Sequence, residues 1–344
     1  MNKSSNMIVG ISIGDINGIG IEVILKTFAD KRMLEFCTPV LFGSAKTISF
    51  HKKALDIQTH IHGINTIDKV VHGKINLVNV WDEELKIELG TASKELGNYA
   101  FKSLEKAVEA LKNNKIDTLL TAPINKDTIQ SENFSFPGHT EYLQSNLEGK
   151  SLMILLNEEL RVGLLTGHIP VSEVATTITP DLIEEKVAIM YTSLVQDFGI
   201  NKPKIAVLGL NPHSGDNGLI GKEETEIIAP TIKKIRDTGK LVFGPYAADG
   251  FFGSKTYQQF DGVLAMYHDQ GLAPFKALSF GAGVNFTAGL DKIRTSPDHG
   301  TGFDIAGKGI ANSDSFKEAL FTALKIYRNR KAHVEITKNV LKTN

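Results

Sequence analysis

Short apolar runs alternate with amphipathic helical stretches along almost the whole chain, and that alternation leaves few folds open. Met7–Ser12, Pro39–Phe42, Ile75–Val80, Asp117–Thr121, Lys204–Gly209, Leu241–Phe243, Asp261–Met266 and Val284–Thr287 read as strands. Between them Ile21–Phe28, Ala45–Ala54, Ala92–Asn113, Glu223–Asp237 and Ser315–Arg330 read as helices. In the longest central one, Leu96, Ala100, Leu104, Ala107, Val108 and Leu111 fall on a single face at helical spacing. A further helix starts at Thr179-Pro180-Asp181, with Thr179 as cap and Pro180 at its first position, and runs to about Phe198. Ser151–Leu156 and Arg161–Thr166 read as paired strands around Asn157-Glu158. Strands separated by helices build a mostly parallel sheet covered on both faces. Ligands of such sheets bind beyond the carboxyl ends of the strands, so the chemistry is sought there.

The chain has 344 residues, of which 42% are apolar and 22% charged, so it is an ordinary globular composition with room for two domains. Lys and Arg total 38 against 39 Asp and Glu, a net charge of −1. Such a balance gives no bulk attraction to nucleic acid or to an anionic membrane surface. The single cysteine, Cys37, excludes an intrachain disulfide and a cysteine-rich zinc site. The longest uncharged stretch, Ala277 to Leu290, is too short and too polar to span a bilayer. The cytoplasm is the expected compartment.

Three histidines share one context, each in a small-residue segment after a strand: Thr166-Gly167-His168-Ile169-Pro170, Asn211-Pro212-His213-Ser214-Gly215 and Tyr267-His268-Asp269-Gln270-Gly271. Their separations match successive α/β units. Three imidazoles with an open position suit a catalytic divalent metal, zinc first. By pattern alone they are equally three unrelated loop histidines. Asp269 adjoins His268, and Asp249 follows a strand; either carboxylate could orient a ligating ring or take up a proton. Asp249 is as readily a turn residue before Gly250.

His139-Thr140, Lys276, Asn285 and Arg294 are candidates to hold a phosphate. Thr140 could also cap a helix beginning at Glu141. A helix start, a hydroxyl, an ammonium and a guanidinium suit a phosphate dianion. The first loop, Gly14-Asp15-Ile16-Asn17-Gly18-Ile19-Gly20, invites a dinucleotide-fold reading. Its glycine spacing does not fit that fingerprint, and Asp15 would face the pyrophosphate, so it reads as a tight strand-to-helix connection.

These residues together resemble the 4-hydroxythreonine-4-phosphate dehydrogenase family. The matching segments are Gly14–Glu22, Thr121-Ala122-Pro123-Ile124-Asn125-Lys126, Phe136–Tyr142, Thr166–Pro170, Asn211–Glu224 and Gly244–Phe252. The run from Tyr267 to Gly271, through Lys276, Asn285 and Arg294, to Asp298-His299-Gly300-Thr301 completes them. Gly14–Val23 and His299–Asn312 are also similar to the opening and the adenosine-binding loop of isopropylmalate and isocitrate dehydrogenases. Ile16 and Ile21 stand where those families usually carry proline.

The resemblance implies a two-domain α/β/α sandwich of the isocitrate/isopropylmalate dehydrogenase type, with a cleft between the domains. It places residues 1–128 with 300–344 in one domain and 129–299 in the other, which carries the metal ligands and dimer contacts. His168, His213 and His268 are implied to bind one divalent ion, zinc, magnesium or cobalt. His139, Thr140, Lys276, Asn285 and Arg294 are implied to bind the phosphorylated substrate, and His299, Gly300, Thr301, Asp304 and Asn312 to bind NAD or NADP. Asp249, Asp269 and Lys276 are the catalytic candidates. A homodimer sharing its metal site at the interface is implied, as is oxidation of 4-phosphooxy-threonine to a 3-oxo acid that decarboxylates to 3-amino-2-oxopropyl phosphate. The same parts would serve a threonate or erythronate 4-phosphate dehydrogenase. A metal triad with an open position would also serve a zinc hydrolase.

Overall fold

The structure, a computed structural model, describes residues 7–279 and 281–338. In chain order the first elements are β1 (Ile8–Ser12), α1 (Gly20–Ala29), α2 (Met33–Phe36), β2 (Thr38–Gly43), α3 (Ala45–Ala54), β3 (Ile61–Ile64), β4 (Ile75–Asn79), α4 (Lys94–Lys112), β5 (Thr118–Thr121) and α5 (His139–Asn146). Then come β6 (Gly149–Leu156), β7 (Arg161–Leu164), α6 (Val171–Thr177), α7 (Pro180–Gln196), β8 (Lys204–Leu208), α8 (Ala229–Asp237), β9 (Leu241–Tyr246) and α9 (Ala248–Gly253). The chain finishes with β10 (Gly262–Ala265), α10 (His268–Ser279), β11 (Val284–Leu290), β12 (Arg294–Pro297) and α11 (Asp314–Thr337).

Two compact units divide these elements: residues 1–148 with 291–327, and residues 149–290 with 328–344. In the first, the strand order is β3-β4-β2-β1-β5-β12, parallel throughout. The apolar stripe of α4 expected from its spacing is buried along its length, from Leu96 to Leu111. Ser93 caps that helix by accepting from the N–H of Leu96 at 3.4 Å.

The second unit has the order β11-β6-β7-β10-β8-β9. The predicted hairpin is present, with β6 antiparallel to both β7 and β11. Beyond it β7, β10, β8 and β9 run parallel. Thr179 caps α7 by accepting from Leu182 N–H at 3.2 Å, with Pro180 in the first turn. Leu164, Leu208 and Ala265 at the strand ends share one core with Phe251 of α9 and Leu272 and Phe275 of α10. Close approach of α10 requires Gly271, where a Cβ would fall 2.8 Å from Val162 and 2.9 Å from Ala265.

The dividing points lie away from residues 128 and 300. Phe134, Phe136 and Tyr142 form a ring cluster with Phe101 of α4, which keeps the segment up to Glu148 with the first unit. β12 pairs with β5 and returns the chain to it before residue 300. The end of α11 belongs to the second unit, where Arg330 Nε meets the fully buried Asp197 carboxylate at 2.5 Å.

The sequence reading contains no strand at β3 or β12 and no helix at α2, α6, α9 or α10. β12 reads Arg-Thr-Ser-Pro yet is buried throughout, and α10 carries Pro274 in its interior. Neither has an apolar period to betray it.

Candidate active site

In the second unit the histidines sit at the ends of parallel strands. His168 follows β7 and is exposed. His268 is not a loop residue, as its small neighbours suggested, but opens α10. Its Nδ1 lies 2.6 Å from Oδ1 of Asp269, the kind of carboxylate pairing that orients a ring and leaves Nε2 as the nitrogen for a metal. The rings of His168 and His268 are 5.7 Å apart.

His213 is presented differently. From His213 to Asn217 five successive residues are left-handed, with φ of 52°, 54°, 79°, 42° and 55°. For a residue other than glycine this costs roughly 1–2 kcal/mol, so the surrounding structure must impose it. Among the described residues no three His, Cys, Asp or Glu side chains come together to hold a metal. One chain therefore offers the His168–His268 pair, and His213 does not complete it. Asp249 is neither in a turn nor in a loop; it lies exposed in the first turn of α9. Lys276 lies in the last turn of α10. Asn285 is on β11 opposite Leu155, and its Oδ1 is buried without a protein partner.

The first unit holds a basic cluster. Arg294 begins β12 at 2% exposure, and its Nε and Nη2 donate to Oγ1 of Thr121 at 3.0 and 2.7 Å. Burial pulls its guanidinium pKa down to about 9, with Glu141 opposing. His139 opens α5, after Gly138 in fully extended backbone, so Thr140 is the second helical residue and not a cap. Burial, then Arg294, then Lys126, hold the His139 pKa well below its ordinary value. It is a neutral imidazole at pH 7, with its Nε2 hidden and unpartnered. Cations gathered at a helix start, with an unpaired ring nitrogen beside them, suit an anion.

Residues 299–312 form an irregular loop bound to two other segments of the first unit. Ile19 N–H donates to Thr301 O at 2.9 Å, and a Cβ at Gly18 would lie 2.7 Å from that oxygen. Glu22 accepts from Ala311 N–H at 2.9 Å. Lys26, paired with Glu22, donates to the carbonyls of Gly309 and Ala311 at 2.8 Å each. His299 Nδ1 is 3.0 Å from Gly300 O, while its Nε2 is buried without a partner. Asn312 Oδ1 accepts from Asp314 N–H, and Asp304 is exposed. Asp15 points inward, accepting from Asn17 N–H at 3.0 Å and Thr128 Oγ1 at 3.3 Å, with its pKa raised by burial. The first loop is thus a structural connection tied to the 299–312 loop. The sequence assigns no site role to Glu22, Lys26 or Thr121, because only the fold gives them their partners.

A family model described as "Pyridoxal phosphate biosynthetic protein PdxA" matches residues 35–323. The chain belongs to this family. The 4-hydroxythreonine-4-phosphate dehydrogenase of Bacteroides thetaiotaomicron is 56% identical over 94% of this chain and 89% of its own. The D-threonate 4-phosphate dehydrogenase of Cupriavidus necator is 39% identical over 91% of this chain and 95% of its own. Among PdxA-like crystal structures, the 4-hydroxythreonine-4-phosphate dehydrogenase of Klebsiella pneumoniae superposes with a TM-score of 0.79 at 34% identity, covering 94% of this chain and all (100%) of that one. The mixed α/β fold with its mostly parallel strands is that of the family. No helix among the described residues is long and apolar enough to cross a membrane.

Proposed function

We propose that this PdxA-family oxidoreductase is a 4-hydroxythreonine-4-phosphate dehydrogenase acting in pyridoxal phosphate biosynthesis. The observation that carries the reading is the 56% identity to a relative of that name over 94% of the chain. Oxidation takes a hydride from the substrate's secondary carbinol carbon to NAD and a proton from its hydroxyl. The 3-oxo acid then loses carbon dioxide, leaving 3-amino-2-oxopropyl phosphate. The relatives named above are dehydrogenases, which favours this reading over the hydrolase alternative.

The chain's own residues divide the work. Arg294, with His139 and Thr140, binds the phosphate in the first unit, and the hidden Nε2 of His139 would donate to it in the tautomer that carries its proton there. Anchoring a remote phosphate orients the reacting carbon and offsets part of the entropic barrier. Lys276 and Asn285 are the expected substrate contacts of the second unit, where the orphaned Oδ1 of Asn285 awaits a donor. The 299–312 loop, clamped by Glu22 and Lys26, is the expected nicotinamide-dinucleotide site, with His299 Nε2 as its unpaired group.

His168, His213 and His268 would hold the divalent cation. It supplies Lewis acidity toward negative charge developing on oxygen. The donor set fits, since Asp269 already orients His268, but a single chain brings only two of the three rings together. Completion by a second copy accounts for this. Val171 and Leu219, at 78% and 81% exposure, stand beside the His168 and His213 segments as apolar residues that a second copy would cover. Asp269 is engaged in orienting its neighbour, which leaves Asp249 and Lys276 as candidates to accept the proton.

A substrate panel tests the assignment. NAD reduction with 4-phosphooxy-threonine should exceed that with D-threonate and D-erythronate 4-phosphates in kcat/KM. The D-threonate enzyme's 39% identity makes it the second reading, and a preference for either sugar-acid phosphate would decide for it.

A further inference from the structure

We infer that Glu224 and Gln270 are positioning residues that lock the three histidine-bearing strand ends of the second unit into one hydrogen-bonded frame. The inference rests on the proposed metal role of those histidines.

Glu224 is 2% exposed, although it is a carboxylate without a cationic partner among the described ion pairs. Its charge is met by donors instead. The N–H groups of Leu210 and Asn211 both donate to Oε1 at 2.7 Å, and Asn211 Nδ2 donates to Oε2 at 2.9 Å. These are the residues that lead into Pro212 and His213. Glu224 itself opens a π-helical turn, Glu224–Ile228, ahead of α8. Wide turns of this kind are rare and often serve to redirect a functional side chain.

The loop is shaped around this carboxylate. A Cβ at Gly215 would lie 2.6 Å from Oε2 of Glu224, and one at Gly209 would lie 2.5 Å from Ser214 Oγ and 3.2 Å from Oε1 of Glu224. Ser214 Oγ donates to Pro245 O at 3.2 Å, fastening the left-handed run to the end of β9. The unfavourable conformation of His213 and its neighbours is held by these contacts.

Gln270 connects this loop to the other two. Its Nε2 donates to Gly209 O at 2.6 Å, and its Oε1 accepts from Met266 N–H at 2.7 Å. Met266 O accepts in turn from the Oγ1 and N–H of Thr166, at 2.7 and 3.2 Å. One path therefore runs from Thr166, beside His168, through Met266 and Gln270, beside His268, to Gly209 and Glu224, which set His213. Each group in it has a partner, so no member can turn without orphaning another.

The test uses the purified full-length protein stripped of metal, with zinc as the probe, titrated in competition with a chromophoric chelator. Glu224→Gln and Gln270→Leu should each weaken zinc binding about 10- to 100-fold, as expected for groups that orient metal ligands. Leu194→Ala, a cavity in the fully buried face of α7, is the control for general destabilisation. It should lower the melting temperature and leave zinc affinity within about twofold. Amide exchange at Leu210 and Asn211 in the metal-free Glu224→Gln protein should accelerate, while β10 stays protected. If Glu224→Gln does not fold, Gln270→Leu decides. Native zinc affinity in both variants, or an equal loss in Leu194→Ala, overturns the inference while the metal reading stands. A native protein that binds no zinc removes both.

Discussion

The backbone N–H of Ala311 donates to Oε1 of Glu22 at 2.9 Å, joining residues 289 positions apart in the sequence. With Lys26 holding two carbonyls of the same loop, this contact fixes the 299–312 segment on α1. Glu22→Ala would leave a buried N–H unsatisfied, at roughly 1–3 kcal/mol. We expect KM for NAD to rise about tenfold, the equivalent of ~1.4 kcal/mol, with KM for the phosphorylated substrate little changed. Steady-state kinetics with each substrate varied in turn checks this; equal increases in both constants would dissociate the loop from the dinucleotide.

Arg294→Ala should reduce kcat/KM for the phosphorylated substrate by about 30- to 150-fold, the worth of a charge-assisted contact of roughly 2–3 kcal/mol. The dephosphorylated analogue should lose far less. Because Arg294 is buried on Thr121, the truncation also costs stability, so Arg294→Lys is the companion variant. Lysine keeps one charge and loses the fork. An equal loss for both substrates in the lysine variant would make Arg294 structural.

His213→Ala should lower metal content and turnover together. Mixing inactive His213→Ala with inactive His268→Ala protein should restore activity, because a heterodimer can assemble one complete set of three rings from two chains. Full metal occupancy of His213→Ala by elemental analysis, or a catalytically competent monomer in sedimentation, would refute the shared site.

His51 on α3 is 1% exposed, and burial depresses its pKa to about 4 from the usual 6.5. The unfolded chain then binds more protons than the folded one between about pH 4 and 6.5, so stability falls as pH drops through that window. The difference is worth roughly 3 kcal/mol once pH is below 4. His51→Leu should flatten this part of the stability-against-pH curve, measured by urea unfolding from pH 4 to 7.5. An unchanged slope would show that His51 is not the group responsible.

The sequence by itself determined the parts that depend on periodic burial. The α4 stripe, the capped start of α7 at Thr179, the hairpin around Asn157 and the parallel strand-helix alternation are all present as read. It also supplied the residues of the candidate site, because unusual types clustered after apolar runs. Only the tertiary structure decided where each of them sits. Arg294 lies in a buried polar strand that no hydropathy pattern marks, His268 opens a helix that contains a proline, and Asp249 is helical. The domain division followed ring packing of Phe134, Phe136 and Tyr142 on α4 and the pairing of β12 with β5, both long-range contacts. Glu224 and Gln270 lie inside the quoted motifs, but nothing in their sequence context marks them as hydrogen-bonding partners of the strand ends. A buried polar side chain is defined by the partners it finds, and those partners are brought to it from distant positions only when the strands assemble.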